Sequence, residues 1–123
     1  MIRHSSRAHD YLEHMLDAAQ AIQQFIAGMT QDEFLSDRKT RDAVVRNIEV
    51  LGEAAKKLSD VLPDAASRFP ALELRTMYAT RNRMIHAYES VNFTIVYDIA
   101  ANDMPSMIAT LEAALANWPT DLT

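Results

Sequence analysis

The chain has 123 residues, a mass of 13.9 kDa and a formal net charge of −5 from 12 basic and 17 acidic side chains. This length is typical of one domain, here residues 1–123, and the absence of cysteine excludes a disulfide framework, a thiolate metal site and a cysteine nucleophile. No apolar run approaches the roughly 20 residues of a membrane span, no signal peptide is evident, and the acidic balance disfavours nucleic-acid binding by bulk charge. We therefore expect a cytoplasmic protein with no membrane association.

Apolar residues recur at helical spacing from the start of the chain, and turn residues are scarce. The first predicted helix covers about residues 7–27 and ends at Gly28, which suits the residue after a helix. Thr30 followed by Glu33 is a capping-box pattern, and it predicts a short second helix over 31–35. Both elements favour an all-α fold.

A third helix is predicted over about 37–59. Gly52 lies in its middle, at a cost of about 1 kcal/mol relative to alanine. A close approach of a neighbouring helix would explain this glycine, because the missing side chain lets two backbones come near each other. The segment 63–70 has a proline at each end and is predicted to be a loop or a single turn.

Two further helices complete the predicted fold. The fourth begins near Ala71 and reaches at least Ile85, and the fifth runs from the N-cap residue Asn92 to about residue 117. Pro105 lies inside the fifth helix and should kink it. The sum is an up-and-down bundle of four long helices plus a short one.

Arg81 breaks the pattern of the fourth helix. At 100° per residue its side chain lies in the middle of the apolar stripe, where an unpaired guanidinium is costly. It could pair with a buried acid, for which Glu53 on the third helix is the obvious candidate. Alternatively, it lies in a cleft or at a subunit seam and binds an anion. Spacing alone leaves both interpretations open, and His86 taken alone is more often a capping or core histidine than a catalytic one.

The segment around Arg81 carries a longer pattern. Residues 81–88 have the form Arg, four residues, His, one residue, Tyr, which resembles the signature of the HEPN superfamily and most closely the HepT-like toxins of the minimal-nucleotidyltransferase systems. The Gly-Glu-Ala of residues 52–54 and the Met-Pro of residues 104–105 also match the layout of that family. The resemblance spans about residues 10–115. One departure is 72–74, where relatives often carry a tryptophan.

The resemblance implies an all-α HEPN-like fold and a metal-independent endoribonuclease that needs no cofactor. It also implies a homodimer formed through the fourth helix, and a type VII toxin–antitoxin pairing in which a nucleotidyltransferase antitoxin neutralises the toxin by modifying the motif tyrosine. Carried over residue by residue, it makes Arg81 and His86 catalytic, Asn82, Tyr88, Arg75 and Arg83 substrate-binding, and Tyr88 the site of AMP addition.

The chemistry of these side chains is compatible with those roles. Imidazole can transfer protons near neutral pH, and the planar fork of Arg81 matches phosphate oxygens. Asn82 can position a phosphate or orient the histidine, and Tyr88 can stack on a base. One chain supplies one such histidine, and Arg81 and His86 are about 140° apart on an ideal helix. A symmetric dimer with two facing motifs would resolve both problems.

Other clusters support weaker interpretations. Asp10, His14 and Asp17 are spaced so that they could touch one metal ion, but a solvated helix face is favoured and no metal site is predicted. Glu49 and Glu53 are expected to pair with basic residues of the same helix, namely Arg46, Lys56 and Lys57.

Two functional classes remain. One is the RNA-cleaving toxin, which requires both Arg81 and His86. The alternative is a non-catalytic helical subunit that binds a nucleotide or substrate for a nucleotidyltransferase, which requires only a basic cleft. The presence of both side chains favours the enzyme.

Overall fold

The computed structural model of the chain describes residues 2–87 and 90–122, with side chains from residue 7 onwards. The described residues form helices and contain no strand, which confirms the all-α bundle. The α-helices are α1 (Ile2–Ile26), α2 (Gln31–Ser36), α3 (Arg38–Val61), α4 (Ala65–Arg68), α5 (Leu74–His86), α6 (Phe93–Asp98) and α7 (Met104–Ala116). No helix in this part of the chain is long and apolar enough to cross a membrane.

Local chemistry explains where the first three helices begin and end. Gly28 has φ +72°, a left-handed conformation that ends α1. The Thr30 side chain accepts a hydrogen bond from the Glu33 N–H, and Glu33 accepts one from the Thr30 N–H, so the predicted capping box is present at the start of α2. Asp37 caps α3 through the N–H of Thr40. α1 starts earlier than predicted, at Ile2.

The second half of the chain departs more from the prediction. A short 3₁₀ turn, Pro70–Leu72, precedes α5, and Glu73 between them has φ 49°, so α5 begins at Leu74 rather than near Ala71. The predicted fifth helix is divided: α6 passes through a π-helical turn, Ile99–Asp103, into α7. The turn precedes Pro105, which lacks the N–H needed to continue a regular helix, and this is the physical reason for the interruption.

The core lies where α3 packs against α1 and α5, with α7 returning along α1. Each long helix contributes apolar side chains at spacings of three and four residues, as the sequence pattern predicts. The largest fully buried side chains are Phe34, Leu12, Met15, Ile22, Leu58, Leu72, Met104, Leu111, Val44 and Val96. This packing makes α3 the central helix and holds α5 beside it.

Candidate functional site

The crossing of α3 and α5 determines the position of Arg81. A Cβ atom added to Gly52 would lie 2.2 Å from the Cβ of Arg81 and 2.7 Å from the carbonyl oxygen of Met77. Such distances are far inside van der Waals contact, so no other residue fits without displacing a helix. The close helix approach predicted from Gly52 is therefore confirmed, and it occurs at Arg81.

The guanidinium of Arg81 is held by neighbours on both helices. Its Nη2 lies 3.0 Å from Oε2 of Glu53, and its Nη1 donates a 2.8 Å hydrogen bond to Oδ1 of Asn82. Its Cζ lies 5.8 Å from the centre of the Tyr78 ring. The ion pair that the sequence suggested between Arg81 and Glu53 is present. The side chains are 24% and 43% exposed, so the pair lies at the surface rather than in the core.

This arrangement leaves Arg81 able to bind an anion. A guanidinium has more N–H donors than the two engaged by Glu53 and Asn82, and its planar fork suits phosphate oxygens. The partial exposure of Glu53 leaves the edge of the pair open to solvent. The two interpretations of Arg81, paired and anion-binding, are thus compatible.

His86 is the last residue of α5 and is exposed. The helix ends there because Ala87 leaves the helical conformation, at φ −135°. Along α5, His86 follows Arg81 by about 7.5 Å and is turned by about 140°. Within one chain, therefore, the helix directs these two side chains to different faces.

The remaining predicted substrate-binding residues are dispersed. Asn82 contacts Arg81, as described above, whereas Arg75 is exposed in the first turn of α5. Arg83 is exposed and lines an open groove toward α6 with Ile95 and Ile99. Tyr88 lies outside the described residues, and so does its predicted modification.

Glu53 also lines a second groove. It has a volume of about 280 Å³ and runs between α1 and α3. The sequence analysis did not predict this groove. Its lining residues recur mostly every three or four positions along each helix, and this spacing places the residues of α1 on one face and those of α3 on another. Its lining residues are Tyr11, His14 and Asp17 from α1 and Arg46, Val50, Glu53, Ala54 and Lys57 from α3.

The predicted pairing of the acids on α3 is wrong. Glu53 binds Arg81 across the helix crossing, and Lys56 instead pairs with Asp60, 2.7 Å away and one turn further along α3. The hydrogen bond to Asp60 raises the pKa of Lys56 above its ordinary value. Arg46 and Lys57 form no ion pair with any described residue. Two contacts explain the error: Glu53 pairs across the helix crossing, which spacing within one helix does not show, and Lys56 has a second acid, Asp60, on its own helix.

The side chains on α1 that come close enough to share a metal ion are not the three that the sequence analysis considered, Asp10, His14 and Asp17. His14 and Asp17 line the groove between α1 and α3, whereas Asp10 does not. Instead, ligand atoms of His9, Asp10 and Glu13 lie within 4.8 Å of one another. Nδ1 of His9 and Oε1 of Glu13 form a 3.3 Å contact at the surface, which is an ordinary local pair on a helix.

Known proteins are similar to this chain over most of the bundle. The profile of the family described as Ribonuclease HepT-like matches residues 15–114. A protein of Methanocaldococcus jannaschii, named as a candidate RNase, is 39% identical over 104 residues, which are 85% of this chain and 80% of the relative. The chain belongs to the HepT-like ribonuclease family. The family predicted from the sequence is thereby confirmed.

Other HepT-like relatives extend the match. A candidate HepT ribonuclease from Thermococcus cleftensis is 34% identical over 107 residues, 86% of this chain and 94% of the relative. A candidate RNase from Caldanaerobacter subterraneus subsp. tengcongensis is 30% identical over 97 residues, 79% of this chain and 84% of the relative. No solved structure matches significantly. The matched HepT-like region includes the crossing at Gly52 and all of α5.

Proposed function

We propose that this HepT-like chain is a metal-independent endoribonuclease that acts as a homodimer and is the toxin of a type VII toxin–antitoxin pair. The observation that carries the proposal is Arg81, held at the Gly52 crossing with its guanidinium at the surface and with donors that no described residue besides Glu53 and Asn82 engages. His86 is exposed at the end of the same helix. The names of the relatives, all of which refer to RNases, support RNA as the substrate.

The proposed reaction uses the RNA's own nucleophile. The 2'-hydroxyl loses its proton to a neutral imidazole and attacks the adjacent phosphorus, while the bond from phosphorus to the 5'-oxygen breaks and that oxygen receives a proton. The products are a 2',3'-cyclic phosphate and a 5'-hydroxyl. His86 transfers a proton, and Arg81 stabilises the charge that builds up on the phosphate oxygens. No step needs a metal or a cofactor.

The proposal requires two copies of the motif. Two proton transfers need two groups, and one α5 carries a single histidine, turned about 140° from Arg81. A two-fold axis near the ends of two α5 helices would bring Arg81 of one copy toward the motif of the other. Asn82, through its hydrogen bond to Arg81, would position the phosphate together with it.

The proposed control comes from outside the chain. A nucleotidyltransferase antitoxin would join the hydroxyl oxygen of Tyr88 to the α-phosphorus of a nucleoside triphosphate, with release of diphosphate. Tyr88 follows His86, the last residue of α5, by two positions in the sequence. The added AMP phosphate would compete for the Arg81 fork and exclude RNA. In this proposal, toxin and antitoxin meet in the cytoplasm.

The decisive experiment is cleavage of RNA by the purified protein in excess chelator. Wild type should cut RNA and leave 2',3'-cyclic phosphate ends, whereas Arg81→Ala and His86→Ala should each lower the rate by at least about 100-fold. Arg38→Ala is a matched control, because Arg38 pairs with Asp42 in an exposed contact at the start of α3. Helical circular dichroism checks that each variant is folded.

Two outcomes would contradict the proposal. If His86→Ala cuts RNA like wild type, the histidine has a structural role. If wild type binds nucleotide or RNA but never cuts it, the chain is a non-catalytic binding subunit. The control step is tested separately, by mass spectrometry of protein coexpressed with the antitoxin. An AMP mass on Tyr88 is expected, and an unmodified Tyr88 in the silenced complex would favour steric masking.

A further inference from the structure

We infer that the groove between α1 and α3 is an RNA subsite that binds a nucleotide adjacent to the cleaved phosphate. The inference rests on the proposed function and extends it to residues on α1 and α3. Three independent features of the groove support single-stranded RNA as its ligand: its continuity with Arg81, its unpaired cations and its aromatic wall.

Glu53 connects the groove to Arg81. This side chain is part of the groove wall, and its Oε2 lies 3.0 Å from Nη2 of Arg81. Arg81 itself does not line the groove, so Glu53 is the side chain that the groove and the Arg81 site share. A strand whose cleaved phosphate binds Arg81 would pass Glu53 to enter this groove.

The charges in the groove favour an anion. Arg46 and Lys57 both line it, and neither forms an ion pair with a described residue. The charge of Glu53 is already matched by Arg81, which leaves Asp17 as the other acid in the wall. With Arg46 and Lys57 against Asp17, the wall has an excess of positive charge in a chain of net charge −5, and this favours a phosphate.

The α1 side of the groove offers aromatic surface. The rings of Tyr11 and His14 lie 6.0 Å apart at 72° to each other, and Val50 and Ala54 on α3 add small apolar side chains beside them. Proteins bind bases of single strands by stacking them on such rings, with phosphates on nearby cations. At about 280 Å³ the groove is open and small, which suits one unit of an extended strand better than a separate small-molecule ligand.

The test measures binding of a fluorescent single-stranded oligoribonucleotide by the full chain. His86→Ala provides a background that should not cut the probe. In that background, Arg46→Gln with Lys57→Gln should weaken binding by about 10-fold or more. The binding constant should also fall less steeply with salt: the negative slope of its logarithm against log salt should become smaller in magnitude by about 0.7 for each phosphate that the variant no longer neutralises. Arg38→Gln with Lys39→Gln removes an arginine and a lysine from the start of the same helix, and is the matched control.

A second pair of variants tests whether a base stacks on the ring of Tyr11. Tyr11→Leu should weaken binding by about 5- to 100-fold, whereas Tyr11→Phe keeps the ring and should bind like the background. Because Tyr11 is half-buried, the phenylalanine variant separates a loss of stacking from a loss of folding.

The possible failures are distinguishable. If wild type cuts RNA but the Arg46 and Lys57 variants bind with the affinity and salt slope of the control, the subsite is overturned and the proposed function stands. If those variants fail to bind only the antitoxin and still bind RNA, the groove is a protein-binding surface and the inference is overturned. If wild type neither binds nor cuts RNA, the proposed function fails and the subsite with it.

Discussion

Gly52 is the residue on which the geometry of Arg81 depends. We predict that Gly52→Ala destabilises the protein by about 1–2 kcal/mol. A methyl group 2.2 Å from the Cβ of Arg81 and 2.7 Å from the Met77 carbonyl must force the helices apart, and this outweighs the gain of about 1 kcal/mol in helix propensity. Chemical denaturation measures the stability, and the rate of RNA cleavage should fall together with it as Arg81 is displaced.

Gly28 provides the contrasting residue. Its φ of +72° is unfavourable for alanine, but a Cβ there meets nothing within 4 Å. Gly28→Ala should therefore cost about 1–2 kcal/mol through backbone strain while leaving RNA cleavage by the folded protein unchanged. If both glycine variants reduce cleavage equally, the effect of Gly52→Ala does not arise from Arg81.

At the scale of elements, one residue joins α2 to α3. The N–H of Asp37 bonds to the Phe34 carbonyl at the end of α2, and its side chain accepts hydrogen bonds from the N–H and the hydroxyl of Thr40 at the start of α3. We predict that Asp37→Ala lowers the melting temperature by roughly 2–6 °C at neutral pH, as loss of an N-cap does. Scanning calorimetry measures the change.

The pH dependence of that change identifies the cap as its cause. The hydrogen bond from the Thr40 N–H holds the pKa of Asp37 below its ordinary value of 3.8. A lowered pKa means that the ionised form stabilises the fold at neutral pH, and that this contribution is lost as the pH falls through the folded-state pKa. The difference between wild type and Asp37→Ala should therefore shrink below about pH 4. A constant difference down to pH 2 would contradict the capping account.

At the scale of the whole molecule, the C-terminal segment is tied back to the bundle. Arg68 on α4 donates to both carboxylate oxygens of Asp121, at 3.2 Å from Nη1 to Oδ1, and this contact lowers the pKa of Asp121. Trp118 packs between His9 and Phe69, at ring-centre distances of 5.0 and 6.4 Å. One ion pair and two aromatic contacts thus join this segment to the bundle.

We predict that Arg68→Ala exposes Trp118, the single tryptophan of the chain, and shifts its fluorescence to longer wavelength. Because the pKa of Asp121 is lowered in the fold, its contribution is present at neutral pH and is lost as the pH falls below about 4. Acid should therefore produce a similar shift in wild type. Arg38→Ala removes another exposed arginine and should leave the emission unchanged. An unshifted spectrum in Arg68→Ala would show that the aromatic contacts hold the segment without the ion pair.

The assembly is predicted to be a dimer through α5. Light scattering at micromolar concentration should give about twice the chain mass of 13.9 kDa. Ile85 and Ile95 are 41% and 54% exposed, unusual for large apolar side chains, and both belong to the region around the end of α5. Ile85→Glu should reduce dimerisation and RNA cleavage together, because it places a charge at the proposed seam. Phe25→Glu changes an equally exposed residue, 43%, on α1, and should do neither.

Much of the fold follows from local patterns in the sequence. The helical spacing of apolar residues, the capping box at Thr30, the stop at Gly28 and the N-cap at Asn92 each act over a few residues, so the sequence predicts them directly. The same holds for the family, because each pattern that carries the resemblance, at residues 52–54, 81–88 and 104–105, is contiguous. The two departures from the predicted helices are also local. The left-handed Glu73 delays the start of α5, and the π-helical turn before Pro105 separates α6 from α7.

By itself, the sequence determined the all-α class and the family, because both rest on patterns that are each local to one stretch of the chain. The residues on which the chemistry should depend are predictions from the same kind of pattern. Only the tertiary structure decided which side chains meet. It paired Glu53 with Arg81 across the helix crossing, and it placed Arg46 and Lys57 in a shared groove without an ion pair to any described residue. The physical reason is that such contacts form across helices whose separation depends on packing, here on the missing side chain of Gly52, and no pattern within a single helix specifies that distance.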